Sequence, residues 1–187
     1  MTATAPVIQD EVHTWTAAQR LAASNTLNAV LDDEEGLRAV AEAAAETIMM
    51  LLDARALSVV LLDDRGYRDL VNVGELAPGE HRFPEEASYP ANAAPAATTR
   101  HLACGTYVTL GKSMDLLDAN MGAEPGLSIG WVLGVPIVHS TELWGELFMV
   151  RRRNQPAFTR ADQLVACNLA ALFGMRLPPL LKTWGSR

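Results

Sequence analysis

Cysteine, positive charge, aromatic side chains and long apolar runs are all scarce in this chain, and each scarcity removes a class of protein. The two cysteines, Cys104 and Cys167, stand far apart among 187 residues and fit neither a metal-ligand spacing nor a redox pair. We read both as reduced, buried thiols of a cytoplasmic protein, stabilised by its core and not by disulfides. Lys and Arg number 15 against 22 Asp and Glu, a formal charge of -7, which excludes the basic face that broad nucleic-acid binding requires. No run approaches the ~20 apolar residues of a membrane span, and the opening MTATAPVIQDEV lacks a basic segment followed by an apolar core, so a soluble, unexported chain is expected.

Signatures of catalysis are scarce as well. No Ser-His-acid arrangement and no phosphate-cradling glycine loop occurs, and Asp32, Asp33, Glu34 and Glu35 read as a helix start rather than an acid/base pair. The expectation is a protein that is not an enzyme. The sequence names no cofactor. Arg151, Arg152 and Arg153 form the one basic cluster, read as a solvated strand end that blunts sheet pairing.

What is present is a chain of one domain's size with clear local patterns. Residues Thr14 to Leu31 are rich in Ala and Leu without Gly or Pro, which suits a helix. Asp32 and Asp33 interrupt it and are placed to cap a second helix, in which Leu37, Val40, Ala41, Ala44, Ile48, Leu51 and Leu52 recur at three- and four-residue steps. Strands follow at Leu57 to Leu62 and Tyr67 to Val73, joined through Asp64, Arg65 and Gly66. Beyond Gly74, the prolines Pro78, Pro84, Pro90 and Pro95 prevent regular structure over a long passage, read as a lid, with a short helix at Ala93 to Cys104. Strands at Thr106 to Leu110 and Ile129 to Val138 come next, then a hairpin turn at His139 to Glu142. Thr159, with Asp162 placed to return its capping bond, starts a last helix that Pro178 and Pro179 should end.

The strands do not alternate. Val135, Pro136, Ile137 and Val138 are all apolar, as are Leu147 to Val150, so both faces of the sheet are covered. The fold class expected is therefore α+β with three layers: a central antiparallel sheet of about five or six strands, terminal helices on one face and the irregular lid on the other. Surplus apolar surface on the first and last helices points to a homodimer, with residues 1–31 as a dimerisation element and 32–187 as a single domain.

The run from Gly130 to Asp162, with GVPI, LWGELFMV and AFTRAD before an apolar terminal helix, resembles the end of a GAF domain. The helix before SVVLLDDRGY and the segment TTRHLACGTYVTL resemble its first half, so that the likeness spans Glu34 to Arg176. The resemblance implies a GAF/profilin-like sheet with a helical bundle on one face and a small-molecule cavity on the other. It also implies a sensor serving a bacterial-type signalling or transcriptional system, with an output domain or regulator protein as partner. Cyclic-nucleotide-binding members carry Asn-Lys, Phe and Asp-Glu; Asn154, Phe158 and Asp162 match, but Gln155 and Gln163 depart. Neither cysteine has the setting of a bilin attachment site. Members that reduce free methionine sulfoxide need several cysteines around the cavity, and a haem-binding member would need a histidine there, for which His101 stands in the right part of the chain. These enzyme and haem readings, with a ligand-free dimerisation module, are the alternatives.

A cavity between sheet and lid would draw on aromatic and polar residues of the middle segment and central strands. The candidates are Phe83, Tyr89, Arg100, His101, Tyr107 and Trp131, with Trp131 as its floor. Arg82 and Arg100 are the candidates for an anionic group, with a solvated surface role as the plainer reading of each, and the aromatics are equally suited to core packing.

Overall fold

A computed structural model describes residues 15–63, 66–75, 88–89, 107–110, 129–152 and 154–184. Two helices, α1 (Ala17–Asp33) and α2 (Leu37–Leu51), precede strands β1 (Ala56–Asp63), β2 (Gly66–Gly74), β3 (Ser88–Tyr89), β4 (Tyr107–Leu110), β5 (Ile129–His139) and β6 (Glu142–Arg152), and a long helix α3 (Arg160–Trp184) closes the chain. The strands form one sheet in the order β3-β2-β1-β6-β5-β4, with every pairing antiparallel. The α+β architecture expected from the sequence is the one observed.

Cross-strand pairing sorts the strand residues onto two faces. Leu57 and Val59 of β1 stand beside Val73 and Val71 of β2 on one side, and beside Met149 and Leu147 of β6 on the other; Leu133 and Val135 of β5 continue the two rows. All eight are buried in a single core with α2 and α3. Each such aliphatic side chain taken from water contributes about 1.5–3 kcal/mol. α3 lies chiefly on β5, α2 on β2 and β1, and α1 rests against α2 and α3 through Ala23, Leu27 and Leu31. Gly174 of α3 allows this closeness, since a Cβ there would meet the Val138 carbonyl at 2.8 Å.

Side chains at both ends of α1 and α3 show that these two helices run parallel. Trp15, just before α1, donates from Nε1 to Asp162 Oδ1 at 2.8 Å near the start of α3, and Asp32 near the end of α1 pairs with Arg176. The α3 capping box is present as read: Asp162 N donates to Thr159 Oγ1 at 3.1 Å and Thr159 N to Asp162 Oδ2 at 2.9 Å. A second capping box at Thr16 and Gln19 starts α1, two residues later than the composition suggested.

Several expectations are corrected. Asp32 and Asp33 do not cap α2; they complete the last turn of α1, and the position before α2 is Gly36 at φ 90°, with no side-chain cap. Pro178 and Pro179 do not end α3, which continues to Trp184. A proline inside a helix costs about 3 kcal/mol, and here Leu177, fully buried, with Leu180 and Leu181 packed on the core, holds the helix beyond it. The β5–β6 turn lies at the expected four residues: His139 pairs with Glu142, with Ser140, at φ 59°, and Thr141 between them. Arg151 and Arg152 are not a solvated strand end but 6% and 8% exposed. Residues 160–181 are long and apolar enough, by length and composition, to cross a membrane, although Asp162, Gln163, Asn168 and Arg176 interrupt the apolar run. Val165, Ala166, Leu169, Ala170, Phe173 and Leu177 account for that apolarity by packing into the core.

Candidate functional site

The second face of the sheet differs in kind from the first. Ser58, Val60 and Leu62 alternate with the fully packed positions of β1 and are only half-buried, as are Asn72 and Phe148 on the neighbouring strands. Within this face lies a polar group. Val60 pairs with Asp69 on one side and Glu146 on the other, and the next row pairs Asn72, Ser58 and Phe148. Asp69 and Glu146 are 3% and 5% exposed, deep burial for carboxylates.

Local backbone explains how these side chains meet. The β1–β2 register slips between Val59 and Val60, so that Leu70 and Val71 both enter the helix-side core. One extra residue in β2 shifts the alternation, and Asp69 and Asn72, three apart in sequence, come to share a face. Asn72 Nδ2 donates to Asp69 Oδ2 at 2.9 Å, and Ser58 Oγ donates to Asn72 Oδ1. Glu146 is drawn close by its neighbour: any side chain at Gly145 would strike the Val60 carbonyl at 2.1 Å, so glycine lets β6 approach β1 at this point. The group offers carboxylate and amide oxygens that accept hydrogen bonds, the kind of convergent polar set that orients a ligand on an otherwise apolar wall. Among the described residues, no three His, Cys, Asp or Glu gather in a way that could hold a metal ion.

Of the expected site residues, Tyr89, Tyr107 and Trp131 fall among the described residues, and their backbones lie on three different strands. Trp131 belongs to the other face: it alternates with Leu133, Val135 and Ile137, pairs with Arg151 and packs on the helix-side core. It cannot floor a cavity opposite the helices. The backbone of Tyr89 pairs with Tyr67 on the β3 edge, and that of Tyr107 with Gly134 on the β4 edge, at opposite ends of the six-stranded sheet. Phe83, Arg100 and His101 lie outside the described residues, as do the expected short helix and Cys104. Cys167 is half-buried on α3 and packs on the core. The residues missed, Ser58, Asp69, Asn72 and Glu146, carried a signal in the sequence: each is polar inside an apolar strand. Only the bulge, invisible in the sequence, puts Asp69 and Asn72 on one face.

The fold is an α+β scaffold built on one antiparallel sheet, and comparison with known proteins specifies it. The GAF domain profile matches residues 36–177, and the chain belongs to the GAF domain family. Solved structures agree at the level of fold. The GAF domain of a Coxiella burnetii phosphoenolpyruvate-protein phosphotransferase superposes with a TM-score of 0.70 at 14% identity, covering 92% of this chain and 100% of its own. The GAF domain of an Acinetobacter phosphoenolpyruvate-protein phosphotransferase gives 0.69 at 14% identity, covering 90% and 97%. The chromophore-binding domain of a bacteriophytochrome from R. palustris gives 0.64 at 9% identity, covering 89% of this chain and 62% of that one. A comparison by sequence with curated proteins finds no match.

Proposed function

We propose that this chain is a non-enzymatic small-molecule sensor of a signalling or transcriptional regulatory system, acting as a cytoplasmic homodimer. The observation that carries the sensing role is the polar set on the face away from the helices, where hydrogen bonds join half-buried Ser58 to half-buried Asn72 and Asn72 to buried Asp69, and a second buried carboxylate, Glu146, pairs with Val60 from the other side. A face needed only for packing would be filled more cheaply with aliphatic side chains, because burying carboxylates is costly whatever their partners. The oxygens of this group suit a ligand that presents N–H or O–H donors. Support for the dimer comes from the helices: Leu21 on α1 is 64% exposed, and Leu164 and Met175 on α3 are 48% and 62% exposed. These apolar side chains stand on two parallel helices, a surface that a second copy would cover.

The test is a thermal-shift screen of a metabolite library against the native chain and against an Asp69→Asn, Glu146→Gln double variant. A sensor gives at least one compound that stabilises the native chain, fails to stabilise the variant and is recovered chemically unchanged. Recovery of a converted compound would establish an enzyme instead. If no compound acts, or all act equally on both proteins, the polar group is not a recognition site. Light scattering that gives a concentration-independent mass near 20.2 kDa would rule out the dimer.

A further inference from the structure

Arg151 and Arg152 are adjacent residues at the end of β6, so their side chains leave the strand in opposite directions. The Arg151 guanidinium enters the helix layer. It donates to the carbonyls of Leu52 at 2.5 Å, Asp53 at 3.3 Å and Ala157 at 3.1 Å, lies 3.4 Å from Asp162 Oδ2, and stacks 4.2 Å from the centre of the Phe158 ring. Arg152 turns the other way and donates from Nη2 to the carbonyl of Glu75 at 2.6 Å, where the chain leaves β2. Asp162 then passes the connection on, accepting from Trp15 Nε1 at 2.8 Å at the head of α1. Five elements thus meet at one corner: the exit of β2, the end of β6, the end of α2, and the starts of α1 and α3.

We propose that this arginine pair is a mechanical junction that couples the exit of β2 to the start of the parallel α1–α3 pair. The path runs from Glu75 through Arg152 and Arg151 to Asp162 and Trp15. The two arginines are joined by their peptide bond, and the steps between elements are hydrogen bonds or ion pairs of charged and indole donors: Arg152 to Glu75, Arg151 to Asp162 and Trp15 to Asp162. The backbone next to Glu75 is tied to the start of β1: Glu75 N donates to the Arg55 carbonyl at 3.0 Å, and a Cβ at Gly74, which stands at φ 96°, would meet that carbonyl at 2.2 Å. Movement at the exit of β2 would reach the strand end through the bond from Arg152 to the Glu75 carbonyl. The other end of the helix pair is held by Asp32 and Arg176, whose side chains are 60% and 44% exposed, so the corner is the firmer of the two attachments.

This junction deepens the sensor reading by supplying a route from the ligand face to the helices, but it is a property of the chain without ligand and is tested without one. The full chain is labelled with fluorotryptophan, and the Trp15 fluorine resonance is assigned by Trp15→Phe. Arg152→Met, which touches neither Trp15 nor Asp162, should shift the Trp15 resonance and raise amide exchange over residues 17–23 roughly tenfold, with the Trp144 resonance unmoved. Coupling is reciprocal, so Trp15→Phe should speed exchange of the Glu75 amide by a similar factor. This second variant keeps the test decisive if Arg152→Met does not fold, because Trp15 is only half-buried. An unchanged Trp15 resonance in folded Arg152→Met, an unchanged Glu75 amide in Trp15→Phe, or a uniform loosening that moves Trp144 equally would each overturn the proposal.

Discussion

The two faces of the sheet are built from the same four central strands, yet they are finished differently. On the helix side, Leu57, Val59, Leu133, Val135, Leu147 and Met149 are sealed at 0–1% exposure. On the other side the alternate positions of β1 remain half-buried, and a polar group replaces the aliphatic row around Val60. A sealed apolar face contributes stability and tolerates little change; a mixed face gives up some stability to keep specific acceptors in place. The contrast assigns fold maintenance to one face and recognition to the other, and it predicts unequal responses to substitution.

The largest effect is expected where the Arg151 charge enters the helix side. Arg151→Met should destabilise the chain by about 3–5 kcal/mol, because it leaves the buried Asp162 carboxylate without its cation and takes the guanidinium away from the Leu52 carbonyl. Urea unfolding measures this, and a loss below about 1 kcal/mol would show that the pair is no anchor. Next, Leu133→Ala on the sealed face should cost about 2–5 kcal/mol, while Phe148→Ala on the other should cost only about 1–2 kcal/mol despite removing more atoms. Equal losses would erase the distinction between the faces.

How much of this was legible in the sequence follows from the same contrast. The helix side was readable because burial there imposes a period: the α2 spacing, the Thr159–Asp162 capping box and the β5–β6 hairpin all appear where the residues placed them. The recognition side was not, since aliphatic residues on both faces hide the alternation, and Trp131 was consequently set on the wrong one. The polar group also depended on the bulge in β2, which joins two residues at a spacing of three where a strand has a period of two. The arginines were misread for a related reason. A basic cluster after a strand looks solvated until the carbonyls of Leu52, Asp53 and Glu75, remote in sequence, are brought to it.

Smaller effects probe the margins of the comparison. Cys167 is half-buried on α3, between the sealed core and the helix surface. Cys167→Ala should change stability by about 1 kcal/mol or less and leave ligand response intact, since a small thiol contributes mainly as a hydrophobe. A loss of response in that variant would return chemistry to the thiol and weaken the assignment of recognition to the opposite face.

The smallest effect on stability is expected from the double variant Asp69→Asn, Glu146→Gln, and it is the sharpest test of the contrast. Both changes preserve shape, and an asparagine at position 69 keeps a carbonyl oxygen where Asn72 Nδ2 now donates to Oδ2 at 2.9 Å. What is removed is charge at two positions only 3% and 5% exposed, while the bond between Asn72 and residue 69 is kept. The unfolding free energy should therefore stay within about 1 kcal/mol of native or rise, with an unchanged dependence on urea, while stabilisation by the screened ligand is lost. Stability and recognition would then separate on this face as they do not on the other. A destabilisation as large as that of Leu133→Ala would make the two carboxylates part of the structural frame, and recognition would have to be sought elsewhere in the chain.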